Sequence, residues 1–193
     1  TEDMEKELDR ALEQFKQLEV EMKMEEALEE LQELAEEQKE LAEESKKEDA
    51  DSQDLKEKQS ELNEKFEEWE KEMEDIEKLN EELEEPNAMP DQEEESEEVK
   101  KDQKESSEQL EKDKKKKASE SQKSAGEKME EMAQKMEMMM DQQAEEKAEE
   151  DIEALRALLE NIITLSFDQE DLMEVLRRTD KKDPRYVAHG QVQ

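Results

Sequence analysis

The sequence has no cysteine, only two glycines and three prolines, and a single histidine, tryptophan and tyrosine. Without cysteine there is neither a disulfide nor a thiolate metal site, and the redox compartment stays open. Two glycines, Gly126 and Gly190, cannot build a loop that cradles a phosphate. His189 is the only histidine and stands near the end of the chain, and nothing in the sequence resembles a Ser/His/Asp or Cys/His set. Carboxylates abound, but with no concave site to raise one pKa they remain surface acids. No apolar run approaches the roughly 20 residues of a membrane-spanning helix. Neither an enzyme nor a cofactor-binding or metal-binding protein is expected.

Half of the 193 residues are charged, 30% are apolar, and the formal net charge is −36. Nucleic acid and anionic lipid surfaces are poor partners for such a chain, because both require clustered Lys and Arg. The expected partners are proteins: helices of this chain, of its parent or of another molecule. The oligomeric state is open. High charge with few aromatics also marks disorder, so periodicity has to decide.

Heptads decide for helix pairing. Met4, Leu8, Ala11, Phe15, Leu18 and Met22 alternate steps of four and three. The series slips by one residue and resumes as Met24, Leu28, Leu31, Ala35, Gln38 and Ala42. The cleanest run is Leu55, Gln59, Leu62, Phe66, Trp69, Met73, Ile76, Asn80 and Leu83. A sustained a/d repeat flanked by Glu and Lys is a coiled-coil seam. Pro86 and Pro90 then stop the helix. Beyond them the seam is poorer: Leu110, Ala118, Ser121 and Ala125, small residues that let a partner helix come close. It turns methionine-rich at Met129, Met132, Met136 and Met139, then apolar at Ala148, Ile152, Leu155, Leu159 and Ile162. Ser166 and Gln169 have the spacing of a capping box. They would start a short helix with Phe167, Leu172, Met173, Val175 and Leu176 on one face, followed by Arg177, Arg178, Lys181, Lys182 and Arg185.

The expected fold is all-α: a long coiled coil, folded as an antiparallel helical hairpin plus a short C-terminal helix. Residues 1–85 are the acidic arm, with a candidate break at 45–53. Residues 86–98 are the proline and acidic turn, 99–165 the returning helix, and 166–193 the capped helix and tail. Charge supports this register. Residues 1–98 carry 12 basic and 42 acidic side chains, while residues 99–128 carry 10 Lys against 7 acids. Folding back near residue 91 would set Lys112–Lys117 beside Glu64–Glu74 and Ile152–Ile162 beside Met22–Leu31. A three-helix form with a turn at Lys46–Gln53, and a parallel homodimer, are the alternatives.

Each conspicuous cluster has an ordinary reading. The stretch Met129–Met140 holds half of the 12 methionines. It suits a soft metal or an adaptable docking face, but its spacing is that of a plain seam. Lys114–Lys117 lack interleaved aromatics and read as a solvated or internally paired face rather than a nucleic-acid patch. Asp91–Glu98 lacks the ligand spacing and glycine of a calcium loop. Phe66 and Trp69 read as core. The C-terminal helix, with Phe167, Leu172, Met173, Leu176, Arg177 and Arg178, is a candidate docking element.

The strings Ser106-Ser-Glu-Gln-Leu-Glu-Lys112, Lys117-Ala-Ser-Glu-Ser-Gln-Lys-Ser-Ala125 and Lys128-Met-Glu-Glu-Met-Ala-Gln-Lys-Met136 resemble a family of large bacterial envelope proteins that carry a domain of unknown function. Leu165-Ser-Phe-Asp-Gln-Glu-Asp-Leu-Met173 and Asp183-Pro-Arg-Tyr186 are the specific parts of that resemblance. It implies an internal, soluble fragment of a membrane-anchored, coiled-coil-rich protein, with no catalytic residues and with the side of the membrane open. The start at Thr1 and the end at Gln193 are read in the same way. The expected role is a helical spacer or scaffold acting by helix pairing. The alternative is a binding module that docks through the Met-rich seam or the basic C-terminal helix.

Overall fold

The computed structural model describes residues 2–178, with side chains described for 6–149, 152–174 and 177. Expectations placed on the side chains of Met4, Val175, Leu176 and Arg178, and on Lys181, Lys182, Arg185, Tyr186 and His189, lie outside the described residues. The chain is all-α. Among the described residues four helices follow in order: α1 (Glu2–Ser45), α2 (Ser52–Glu81), α3 (Glu93–Glu111) and α4 (Lys115–Arg178). Two units are distinguished, Thr1–Gln143 and Ala144–Gln193, and the division falls within α4.

The reversal expected at 86–98 is present, between α2 and α3. Two more, at 46–51 and 112–114, turn the two expected arms of the first unit into four antiparallel helices. Cross-helix bonds give the order. Trp69 of α2 donates to Ala27 of α1, and Lys58 pairs with Glu44. Lys100 of α3 pairs with Glu70 of α2. Lys128 of α4 pairs with Glu98 and Asp102 of α3. Ser119 of α4 donates to Ala42 of α1. Each helix thus lies against two neighbours in an up-and-down bundle.

Local chemistry explains the reversals. Asp51 caps α2, its carboxylate accepting from the backbone N–H groups of Gln53 at 2.7 Å and Asp54 at 3.3 Å. Asp113 ends α3 with φ 54°. Its own N–H donates to the Leu110 carbonyl and that of Lys114 to Gln109, the pairing that closes a helix through a left-handed residue. Asp tolerates this conformation better than most non-glycine residues, and its carboxylate also accepts from Ser52 Oγ at 2.6 Å. At the opposite end Asn80, 3% exposed, exchanges two bonds with the backbone of Asn87 and so holds the proline segment.

The core follows the heptads of each helix. α1 buries Val20, Met24, Ala27, Leu31, Leu34 and Leu41; α2 buries Leu55, Leu62, Phe66, Trp69 and Ile76, and Leu83 is buried just beyond its end. Phe66 and Trp69 stack with centroids 5.5 Å apart. α3 is buried at Ser96, Val99, Gln103, Ser106 and Leu110. α4 contributes Ala118, Ala125, Met129, Met132 and Met136. A Cβ on Gly126 would lie 2.7 Å from Lys39 Cγ and 3.0 Å from the Ala35 carbonyl oxygen. The small residues of α4 therefore bring it very close to α1.

Several expectations need correction. The Lys112–Lys117 cluster does not lie beside Glu64–Glu74. The reversal at 112–114 places Lys114–Lys117 next to Ser45–Glu48, and Lys115 donates to the carbonyls of Glu48 and Ala50. Met22–Leu31 is covered from within the bundle at Met24, Ala27 and Leu31. No new helix starts at Ser166: α4 runs through it unbroken. Helical structure resumes at Glu93, within the expected turn 86–98.

Candidate functional site

The first unit holds a layer of amides at its centre. Gln38, Gln59, Gln103 and Gln122, one from each helix, are at most 2% exposed. Gln38 and Gln59 exchange bonds at 3.1 and 3.2 Å. Gln59 Oε1 also accepts from Ser106 Oγ at 2.9 Å and from Gln122 Nε2 at 3.0 Å. Gln38 Oε1 accepts from Gln103 Nε2 at 3.3 Å. Gln59 Nε2 donates onward to Asn63 Oδ1, and Asn63 to Ser107 Oγ. Buried polar groups are costly unless they meet one another. These groups meet only when all four helices are in one alignment, so the layer sets the register.

Ion pairs at the flanks repeat that register on the surface. Lys65 pairs with Glu37 at 2.6 Å, and Lys39 pairs with Glu130. The Lys135 ammonium beside Glu95 holds that carboxyl below its usual range. The acidic α1–α2 seam works in the opposite direction. Burial first, then the Glu72 carboxylate, push the Glu30 carboxyl upward. Exposed pairs of this kind contribute little stability each and serve mainly to select alignment.

The sequence-predicted seam residues divide sharply. Leu55, Leu62, Phe66, Trp69, Ile76, Leu83, Met129, Met132 and Met136 are buried in the bundle, and Met73 and Met139 are partly buried against it. Met129, Met132 and Met136 are therefore covered by the bundle itself, whereas Met138 of the same stretch is 64% exposed. Ile152, Leu155, Leu159 and Ile162 are about half exposed, at 49%, 57%, 51% and 54%. They are seam residues by spacing but are not buried within this chain. Phe167 and Met173 are equally bare, Leu172 is partly exposed and Arg177 exposed. The side chains of Leu176 and Arg178 are among those not described.

A second bare face lies on α1. Phe15, Leu18 and Met22 are 53–65% exposed and line a shallow hollow of about 300 Å³ with Glu19 and Glu26. The one-residue slip between Met22 and Met24 marks the change: the second phase enters the core, and the first points away from it. The glutamine layer was half-visible, since Gln38 and Gln59 fall on the predicted seams. Gln103 and Gln122 were missed. The 3-4-3-4 spacing of Ser96, Val99, Gln103, Ser106 and Leu110 was the available signal, hidden because three of the five are polar. Among the described residues no helix is long and apolar enough to cross a membrane, and no group of His, Cys, Asp or Glu is placed to hold a metal ion. No protein-family model matches the chain, and no curated protein or solved structure is similar to it.

Proposed function

We propose that this chain is a non-catalytic scaffold segment that works by helix pairing, as the soluble part of a bacterial envelope protein. The observation that carries the reading is the run of large apolar side chains left bare from Ile152 to Met173. A bare stripe of this extent is a hallmark of an interaction face. The first unit, with its own core and a polar layer fixing its alignment, supplies a folded body. The second supplies the helix to be paired. The envelope setting rests on the resemblance of Leu165–Met173 and Asp183–Tyr186 given above.

The test is site-specific photo-crosslinking from Leu155 in living cells that make the parent protein. The expected result is a discrete protein adduct that disappears when Leu159 and Ile162 are changed to Glu. Absence of any protein adduct from Leu155 or Ile163 refutes the reading.

A further inference from the structure

The pairing helix of the second unit has a self-complementary seam. Its a and d positions read Ile152, Leu155, Leu159, Ile162, a sequence that is the same forwards and backwards in both spacing and identity. Laid antiparallel on itself, Ile152 faces Ile162 and Leu155 faces Leu159, each contact occurring twice. A two-fold interface has this property, because one patch must complement itself.

The flanks and the area agree. Leu158 borders the seam, and around the two-fold at residue 157, between residues 154 and 160, the only charges are Arg156 and Glu160. These two are four apart on one helix, a spacing at which opposite charges sit side by side. The strongly acidic character of the rest of the chain, which would oppose bringing two copies together, is therefore interrupted here. Eight large apolar side chains between Ile152 and Phe167 are each 49–63% exposed. At on the order of 100 Å² apiece they offer roughly 800 Å² per chain, comparable to the ~800 Å² that each partner contributes to a stable complex.

We infer that the α4 segment 147–167 pairs antiparallel with the same segment of a second copy, making the chain a two-fold dimer joined at its tails. This rests on the pairing function proposed above and names its partner. Opposed heptads would bury Leu155 and Leu159 at the centre, with the two bundles left unchanged.

The test uses the whole 193-residue chain. Light scattering at micromolar concentration should give twice the 22.9 kDa chain mass. Leu155→Glu/Leu159→Glu should return it to one chain mass, with unchanged far-UV circular dichroism and Trp69 fluorescence. A single-chain mass for the unaltered protein, or a dimer that survives the double change, overturns the inference. Orientation is read by disulfide trapping, which the absence of native cysteine makes clean. Ile152→Cys and Ile162→Cys should cross-link when mixed and not separately. Cross-linking of each variant with itself overturns the antiparallel pairing. A monomer whose Leu155 still crosslinks to a different protein in cells would remove the self-pairing and leave the scaffold function standing.

Discussion

Replacing Gln59 by Leu probes the layer that aligns the bundle. Gln59 Oε1 accepts from Gln38, Ser106 and Gln122, and its Nε2 donates to Gln38 and Asn63. Leucine is of similar size and removes every one of those bonds. Three donors, Gln38 Nε2, Ser106 Oγ and Gln122 Nε2, would lose the acceptor they share. Leaving a buried donor unmet costs about 1–3 kcal/mol, so three together cost roughly 3–6 kcal/mol after local adjustment. Burial of the new side chain returns about 1–2 kcal/mol. The net expectation is a loss of about 2–4 kcal/mol, read as a lower urea midpoint by far-UV circular dichroism with an unchanged slope. The informative control removes the whole layer: Gln38, Gln59, Gln103 and Gln122 to Leu with Ser106 to Ala. With only the half-buried Asn63 Oδ1 left without its donor, stability should equal or exceed that of the unaltered chain. Its cost should appear as lost uniqueness, seen as broadened amide resonances or mixed helix alignments. A Gln59→Leu protein as stable as the parent would refute the layer as described.

Gly126→Ala should lower stability by about 1 kcal/mol, although alanine favours a helix by about that amount. The new methyl meets Lys39 Cγ and the Ala35 carbonyl, and overpacking costs about 1–3 kcal/mol. A raised urea midpoint would mean that α1 and α4 are further apart. Trp69→Ala should cost about 3–5 kcal/mol, since Trp69 is 2% exposed, stacked on Phe66 and bonded to Ala27. A loss below that range, from chemical denaturation, would place the ring outside the core. Glu30→Gln should raise stability at neutral pH. The folded-state pKa of Glu30 lies above its ordinary 4.5, so its charge disfavours folding once pH exceeds that raised value. Below 4.5 both states are protonated and the penalty vanishes. Denaturant midpoints of the variant and parent should therefore converge as pH falls, and a constant gap would refute the assignment.

The helical class and the α2 seam were legible because apolar residues recur at a/d spacing from Leu55 to Leu83 and leave no other face to bury. The extra reversals were less legible. Ser45–Gln53 was visible only as a polar interruption, since it contains neither glycine nor proline. The break at 112–114 was invisible because Asp113 takes the left-handed position where glycine is the usual marker. That break, together with an α2–α3 register in which Lys100 meets Glu70 and Ser107 meets Asn63, is why Lys112–Lys117 was matched to the wrong acids. Ser166 misled for the opposite reason. A capping box signals a helix start only where the chain turns, and Thr164 Oγ1 bonding back to the Glu160 carbonyl at 2.9 Å fits an uninterrupted helix there.

The placement of polar and apolar residues has a physical logic. Amides at the centre of the first unit lower its potential stability, since leucine there would bury more apolar surface. Leucine would also permit several helix alignments, which four glutamines joined through the Gln38–Gln59 pair do not. The apolar residues missing from that centre are abundant in the second unit, where they lie bare. Specificity thus belongs to the bundle and affinity to the tail. The two should respond independently, because perturbations at sites that share no partner add. Gln59→Leu should shift the denaturation midpoint without changing the mass in solution while the bundle is folded. Leu155→Glu/Leu159→Glu should change the mass without altering the denaturation slope or the Trp69 signal. In the combined variant the two effects should simply coexist. If Gln59→Leu alone dissolves the dimer under folding conditions, the bundle and the tail are not separate devices, and the division of labour argued for them is wrong.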